Sequence, residues 1–523
     1  MMKIHRTMRT LLFIMNIMYY ISYWILSFIY RKKPLKISQP DPLFTISATK
    51  LAKMIRQREI ESYQVVYAYT ERIKEVNRVL NAVVDNRYGP AIIEAKICDE
   101  QLAGKFDAET LEKEKPLYGV PITIKECYAV KGASYTGCSL TRKGVKATAD
   151  SAVVELLRNA GAIPLCVTNT PEMCSNLDTS NRLYGNTLNP YDTRYSPGGS
   201  SGGEAALLAT GASLIGIGSD LLGSIRLPAH FCGVFGYRPT SKMISIEGCF
   251  PYCEDKLFQS CFSVGPLARY AEDIELLIKV MTSKCNHDLR LTVPVDLKQL
   301  KVYYLPKIDN SYGIRPTLPE IEQCVLKAAN HFNERGIHTK KLPINLQPTI
   351  IEMVMTSLLT IKDLPPLVLS NDPKVQKNSI MEAIKALFGL SQHTSATIFF
   401  SFLLQTHFPF TKSDISYYTQ QREQIRQKLL DLLGENDVLI CPTYRSPAIF
   451  QKLMCFEFVN AMYTSVFSVL GFPALHVPMG LNHEGLPIGV QVVVAPYQDR
   501  LCLAVAKELE RAFGGWTPPF CQQ

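Results

Sequence analysis

Residues 196–240 read SPGGSSGGEAALLATGASLIGIGSDLLGSIRLPAHFCGVFGYRPT. Ser200 and Ser224 each sit among glycines, which admit φ > 0 and let several N–H groups converge on one anionic oxygen. Sites for acyl transfer are built this way. A flexible Gly/Ser linker would not interleave with apolar runs such as 205–209 and 214–217.

Outward from this stretch, short apolar strands alternate with helical segments. LNAVV and GVPITI are strand-like, 91–102 is helical, and 107–115 reads as a charged loop. A helix SAVVELLRNAG capped by Asp150 and a strand AIPLCVTN follow, and the alternation predicts an α/β sheet with mainly parallel pairs. Ser47 and Ser62 read as N-caps of two amphipathic helices, the second carrying Val65, Val66, Tyr69, Ile73 and Val76 on one face. Residues 285–435 are less regular and hold long helices at 319–335 and 415–433. Within them 383–410 is strongly apolar; a buried core helix is the plainer reading, and the alternatives are an acyl channel or a membrane contact. The chain closes with strand DVLICPT, helix FVNAMYTSVFSVLG, strand LPIGVQVVVAP and a helix at 500–513.

Composition narrows the function classes. With 523 residues and 47% hydrophobic content, the chain has material for a large core. The net charge is +9, but seven positives precede the first acid, Asp41, so the rest carries only 9 − 7 = +2. A nearly neutral body lacks the basic face that binding a phosphate backbone requires, which argues against nucleic acid. The 15 cysteines form no CxxC pair or zinc-spaced cluster and read as reduced core residues, and no metal or cofactor motif occurs.

Residues 11–30 form an uncharged, mostly apolar run of about 20 residues, enough as a helix to span a bilayer core of roughly 30 Å. The run ends in Tyr30-Arg31-Lys32-Lys33 without a small-residue cleavage site, so it reads as an uncleaved single-pass anchor in the endomembrane system. Basic residues flank it on both sides, leaving the orientation open with a lean towards a cytoplasmic body. The division expected is residues 1–36 as anchor and basic flank, and 40–523 as the catalytic body.

A serine nucleophile needs a base. His230 is the only histidine near the glycine-rich stretch, and it reads as structural. GGSSG matches the G-x-S-x-G elbow, but Ser200 follows a run of turn formers, NPYDTRYSPGG, where that elbow requires a buried strand. No GK[ST] follows, so a phosphate-binding loop also fails. Lys125, at the end of GVPITI, is the better base: a sheet's carboxyl edge would deliver it into a site, and burial favours the neutral amine that serine-lysine chemistry uses.

Lys125 in GVPITIKE, then GGSSGGE, then GSDLLGSIRLPAHFCGVFGYRPT resemble the amidase signature family in order and spacing. Within it the chain resembles the membrane-anchored fatty-acid amide hydrolases of the fatty-acid amide hydrolase 2 group, through the apolar N-terminus and GLPIGVQVV. The similarity runs from about residue 45 to the C-terminus and is weakest at 285–435. It implies an α/β amidase-signature fold, one large twisted mixed β-sheet surrounded by many helices. It implies a Ser-Ser-Lys triad without cofactor: Ser224 the acyl nucleophile, Ser200 the proton bridge preceded by a cis peptide, Lys125 the base. The N–H groups of Leu221, Leu222, Gly223 and Ser224 would hold the oxyanion, and a lipid amide would be the substrate of a membrane-bound enzyme, with room for a homodimer.

One departure stands out. The family commonly has glycine or another small residue where this chain has Leu222. If that position needs φ > 0, leucine costs roughly 1–2 kcal/mol and misdirects an N–H; otherwise it only narrows the pocket. Reduced or retuned activity is expected. Two alternatives to a fatty-acid amidase stand beside it: a catalytically weak, lipid-binding relative, and a general amidase or esterase of smaller substrates.

Overall fold

The structure, a computed structural model, describes residues 2–29, 37–38, 41–104, 107–308, 314–346, 349–370 and 375–519. The basic flank 31–36 and the boundary drawn through it lie outside the described residues. Among these residues are thirteen strands: β1 (Val83–Asn86), β2 (Pro121–Lys125), β3 (Ile163–Thr168), β4 (Ser180–Asn181), β5 (Gly185–Asn186), β6 (Ile215–Asp220), β7 (Phe235–Arg238), β8 (Ser263–Ala268), β9 (Lys301–Tyr304), β10 (His338–Lys341), β11 (Asp437–Pro442), β12 (Ala474–Leu481) and β13 (Pro487–Val494). Eleven of them form one sheet in the order β1-β3-β2-β6-β8-β7-β12-β13-β11-β9-β10, and β4 pairs with β5 apart from it.

The sheet is mixed, as the resemblance implies, but its pairs are not mainly parallel. β2 runs parallel to β3 and β6, and β9 to β10 and β11. The other six pairs are antiparallel. Strand-helix alternation generates the parallel segment around β2. The turn at 482–486 folds β13 directly back on β12, a connection that only antiparallel strands accept.

Strands β2, β3 and β6 are buried along their whole length, which is why their sequences run apolar without alternation. Helices cover the sheet, with Arg226–Cys232 and Asp499–Phe513 both lying on β12 and β13. A second apolar core forms among Ile350–Leu359, Lys412–Leu432 and Met462–Leu470.

Several local expectations change. Residues 107–115 are not a loop: Ala108–Glu114 is a helix, capped where the Asp107 carboxylate accepts the Thr110 N–H and pinned by buried Leu111. Ser47 caps its helix as read, whereas Glu61 caps the helix that Ser62 begins, and Ser151 takes the place expected of Asp150. The apolar segment 383–410 is not a core helix. It spans parts of two helices, Ser379–Leu387 and Ser395–Thr406, that leave Leu387, Phe388 and Leu390 exposed.

Helix Met2–Ile29 holds an 18-residue window, Leu12–Ile29, long and apolar enough to cross a membrane. One stripe of it rests on the body. Tyr19 is buried under the Arg315 guanidinium, 3.4 Å from the ring centre, and Arg315 Nε donates to Asn16 Oδ1 at 2.9 Å.

Candidate active site

Lys125 ends β2, and the parallel neighbour β6 ends in Ser219 and Asp220, so both strands deliver polar side chains to one carboxyl edge of the sheet. Lys125 is fully buried. Its amine meets Ser200 Oγ at 2.7 Å and Ser219 Oγ at 2.8 Å, and it forms no ion pair among the described residues. Ser200 lies just before helix Gly202–Ala209 and follows a loop, which agrees with the rejection of a strand-borne elbow. The Gly199–Ser200 peptide is cis, and Thr170 Oγ donates to the Ser200 carbonyl at 2.8 Å.

Ser224 stands in the loop between β6 and helix Arg226–Cys232, partly open, while its carbonyl accepts the Ser201 N–H at 3.1 Å. Ser200, Ser219 and Ser224 line one apolar cavity with Leu221 and Leu222. Of the residues read from the sequence, Ser200, Leu221, Leu222 and Ser224 line this cavity, Lys125 bonds Ser200, and Gly223 lies within the same loop. His230 bonds none of them: it is buried, its Nε2 lies 2.9 Å from the Ser446 carbonyl, and burial holds its imidazole down to about 4.

The loop 221–224 is gripped from both sides. Thr464 Oγ and Ser465 Oγ donate to the Leu222 carbonyl at 2.9 and 2.8 Å. Asp220 Oδ1 accepts the Gly223 N–H at 2.7 Å, which removes that donor from any oxyanion hole. The N–H groups of Leu221, Leu222 and Ser224 have no protein acceptor among the described residues. Gly223 has φ of +118°, and a Cβ there would fall on Thr464 Oγ, so only glycine fits. Leu222 has no left-handed φ, so the strain feared at that position does not arise; its side chain only narrows the cavity.

Buried charge braces this loop. Arg226 grips Asp220 through Nε at 3.0 Å and Nη2 at 3.1 Å, and both residues are fully buried. Burial alone would raise the Asp220 carboxyl, but Arg226 and Arg238 outweigh it and hold it below the usual range. Beneath Lys125, Glu204 accepts hydroxyl protons from Thr123 at 2.5 Å and Thr168 at 2.7 Å, and burial lifts its carboxyl to about 8. Ser219, Glu204 and the Asp220–Arg226 pair escaped the sequence reading. Only their places at strand ends or inside GGSSGGE hinted at them.

The site thus holds a buried lysine on two serine hydroxyls at the carboxyl edge of a mixed sheet, beside an apolar cavity. The amidase family model matches residues 64–503, and the chain belongs to the amidase signature family. It is 36% identical over 488 residues to fatty-acid amide hydrolase 2 of Homo sapiens, covering 92% of this chain and 91% of that one. It is 38% identical over 497 residues to fatty-acid amide hydrolase 2-A of Danio rerio, with the same two shares. A solved structure of a fatty acid amide hydrolase shares the fold, with a TM-score of 0.71 at 22% identity over 91% of this chain and 87% of that one. The chain is therefore an amidase-signature hydrolase similar to fatty-acid amide hydrolases.

Proposed function

We propose that the protein is a membrane-anchored serine amidase that cleaves long-chain fatty-acid amides through an acyl-enzyme on Ser224. The observation that carries this reading is Lys125, buried and, among the described residues, held by the hydroxyls of Ser200 and Ser219 beside the cavity that Ser224 lines. The amine of Lys125 takes the Ser200 proton, and Ser200 takes the Ser224 proton as Ser224 Oγ attacks the amide carbonyl carbon. The N–H groups of Leu221, Leu222 and Ser224 hold the resulting oxyanion, each such donor being worth on the order of 10²–10³ in rate. As the C–N bond breaks, Ser200 returns a proton to the departing amine. Water then attacks the acyl-enzyme by the same relay and frees the acid.

The apolar lining supports a fatty acyl group, and the similarity to fatty-acid amide hydrolases supports the amide class. Helix Met2–Ile29 supports an N-terminal anchor ahead of a catalytic body from residue 40 onward. The alternative of a catalytically weak lipid binder loses its motive, since Leu222 is not strained. The test is labelling by a fluorophosphonate probe, which reacts only with an activated serine. Labelling is expected in the wild type and absent in Ser224→Ala; labelling that persists in Ser224→Ala refutes the assignment. Rates that rise from hexanamide to oleamide support the lipid substrate, and the opposite order supports a general amidase.

A further inference from the structure

Three separate segments line the acyl cavity: the turn Met173–Leu177, which packs against Gly199 beside Ser200, the strip containing Leu364 and Leu367, and helix Ser395–Thr406 through Phe400 and Leu404. None of them belongs to the large sheet. Walls built from loops and a peripheral helix need polar fastenings, because their backbone groups have no ladder partners. One fully buried imidazole, His393, supplies them.

His393 Nδ1 lies 2.8 Å from Glu172 Oε1, in the residue directly before Met173. Its Nε2 lies 3.0 Å from the carbonyl of Leu369, beyond Leu367 on the second wall. Its own chain leads through Thr394, the N-cap, into helix Ser395–Thr406, the third wall. The Glu172 carboxylate completes the joint: Oε2 accepts the Thr394 N–H at 2.8 Å, and Oε1 also accepts from Ser139 Oγ at 2.9 Å. A further bridge, Ser175 Oγ to Thr397 Oγ at 2.9 Å, ties the same turn to the same helix. Lys377 also faces the ring, its amine 3.4 Å from Nε2. Neither His393 nor Glu172 touches Lys125, Ser200 or Ser224, so the pair has no part in the proton relay.

We infer that Glu172 and His393 form a positioning pair that fastens these three of the segments lining the acyl cavity and thereby sets its reach for long acyl chains. This deepens the reading of a fatty-acid amidase and rests on it. The carboxylate-imidazole contact sits where the walls meet, so weakening it lets the helix bearing Phe400 and Leu404 drift from the turn bearing Met173. A long chain that runs along these walls loses contacts. A short chain that fills only the catalytic end does not.

The test compares oleamide and hexanamide as substrates of the full-length wild type, Glu172→Gln, His393→Gln and the double variant. For oleamide, each single variant is expected to raise KM by about tenfold with kcat nearly unchanged, since a charge-assisted contact is lost. For hexanamide, kcat/KM stays within about twofold, and the rate of fluorophosphonate labelling stays at the wild-type value. The double variant costs no more than either single one, because the two residues act as a unit. Equal losses on both amides, or loss of probe labelling, would make the pair a general support of the fold and overturn the inference. So would unchanged kinetics in every variant. A wild type that hydrolyses neither amide overturns the functional reading itself, whereas a wild type that favours oleamide with unaffected variants overturns only the pair.

Discussion

Ser219 Oγ lies 2.8 Å from Lys125 Nζ, on the side of the amine not taken by Ser200. The two residues come from neighbouring parallel strands, so the sheet itself sets their spacing. In the proposed relay Ser219 would orient the amine without itself passing a proton. Ser219→Ala is expected to lower kcat by about tenfold, the worth of one hydrogen bond to a positioned base, with KM unchanged. Steady-state kinetics on oleamide measure it, and an unaltered kcat removes Ser219 from the site.

Glu204 lies beneath that amine with its carboxyl raised by burial from the ordinary 4.5 to about 8. Between those values the folded state holds a proton that the unfolded chain has released, so stability is full below about 4.5 and declines as pH rises through about 8. Glu204→Gln has no such proton to lose. Its melting temperature is expected to vary less than that of the wild type from about pH 5 to about pH 9, which calorimetry across that range decides.

Gly223 combines φ of +118° with the hydroxyl of Thr464 packed where a Cβ would stand. Gly223→Ala is expected to lose about 2–4 kcal/mol by denaturant titration and at least about a hundredfold in kcat, because the shifted loop misplaces its N–H donors. Full activity in that variant would show that the loop does not hold the oxyanion.

Asp220 is buried against Arg226, with Arg238 Nε 3.9 Å away. Asp220→Asn leaves two guanidiniums short of a counter-charge and is expected to cost about 3–5 kcal/mol. Because the carboxyl is held below its ordinary 3.8, the wild type keeps this stabilisation above that value and surrenders it only as pH falls through the lower, folded one. Unfolding curves at neutral and strongly acid pH should therefore converge for the two proteins in acid.

Leu222 narrows the cavity without backbone strain. Leu222→Gly is accordingly expected to leave kcat on oleamide within about twofold and to admit acyl groups branched near the carbonyl, against which the wild type is expected to discriminate by about 1–3 kcal/mol. A large gain in kcat on oleamide would restore the strained-loop account.

Much of this was legible in the residues. GVPITI announced a buried strand because a parallel strand covered on both faces has no reason to alternate, and its terminal Lys125 had to emerge at the sheet edge. Glycines around Ser200 and Ser224 announced backbone that must turn tightly. Residues 107–115 misread as a loop because charge masked a capped helix whose one buried side chain is Leu111. The segment 383–410 misread as core because apolar content does not say which surface an apolar face meets.

The family, the three residues of the proposed relay and an apolar N-terminal helix were readable from the residues alone, since each is written in local runs whose order and spacing survive without coordinates. The folded chain was needed to see that the Gly223 N–H belongs to Asp220, that Leu222 is unstrained, and that Ser219 shares the lysine. It alone joined Glu172 to His393, 221 residues apart. Hydrogen bonds between distant segments depend on how the sheet and its surrounding helices bring them together, and no local pattern encodes that meeting.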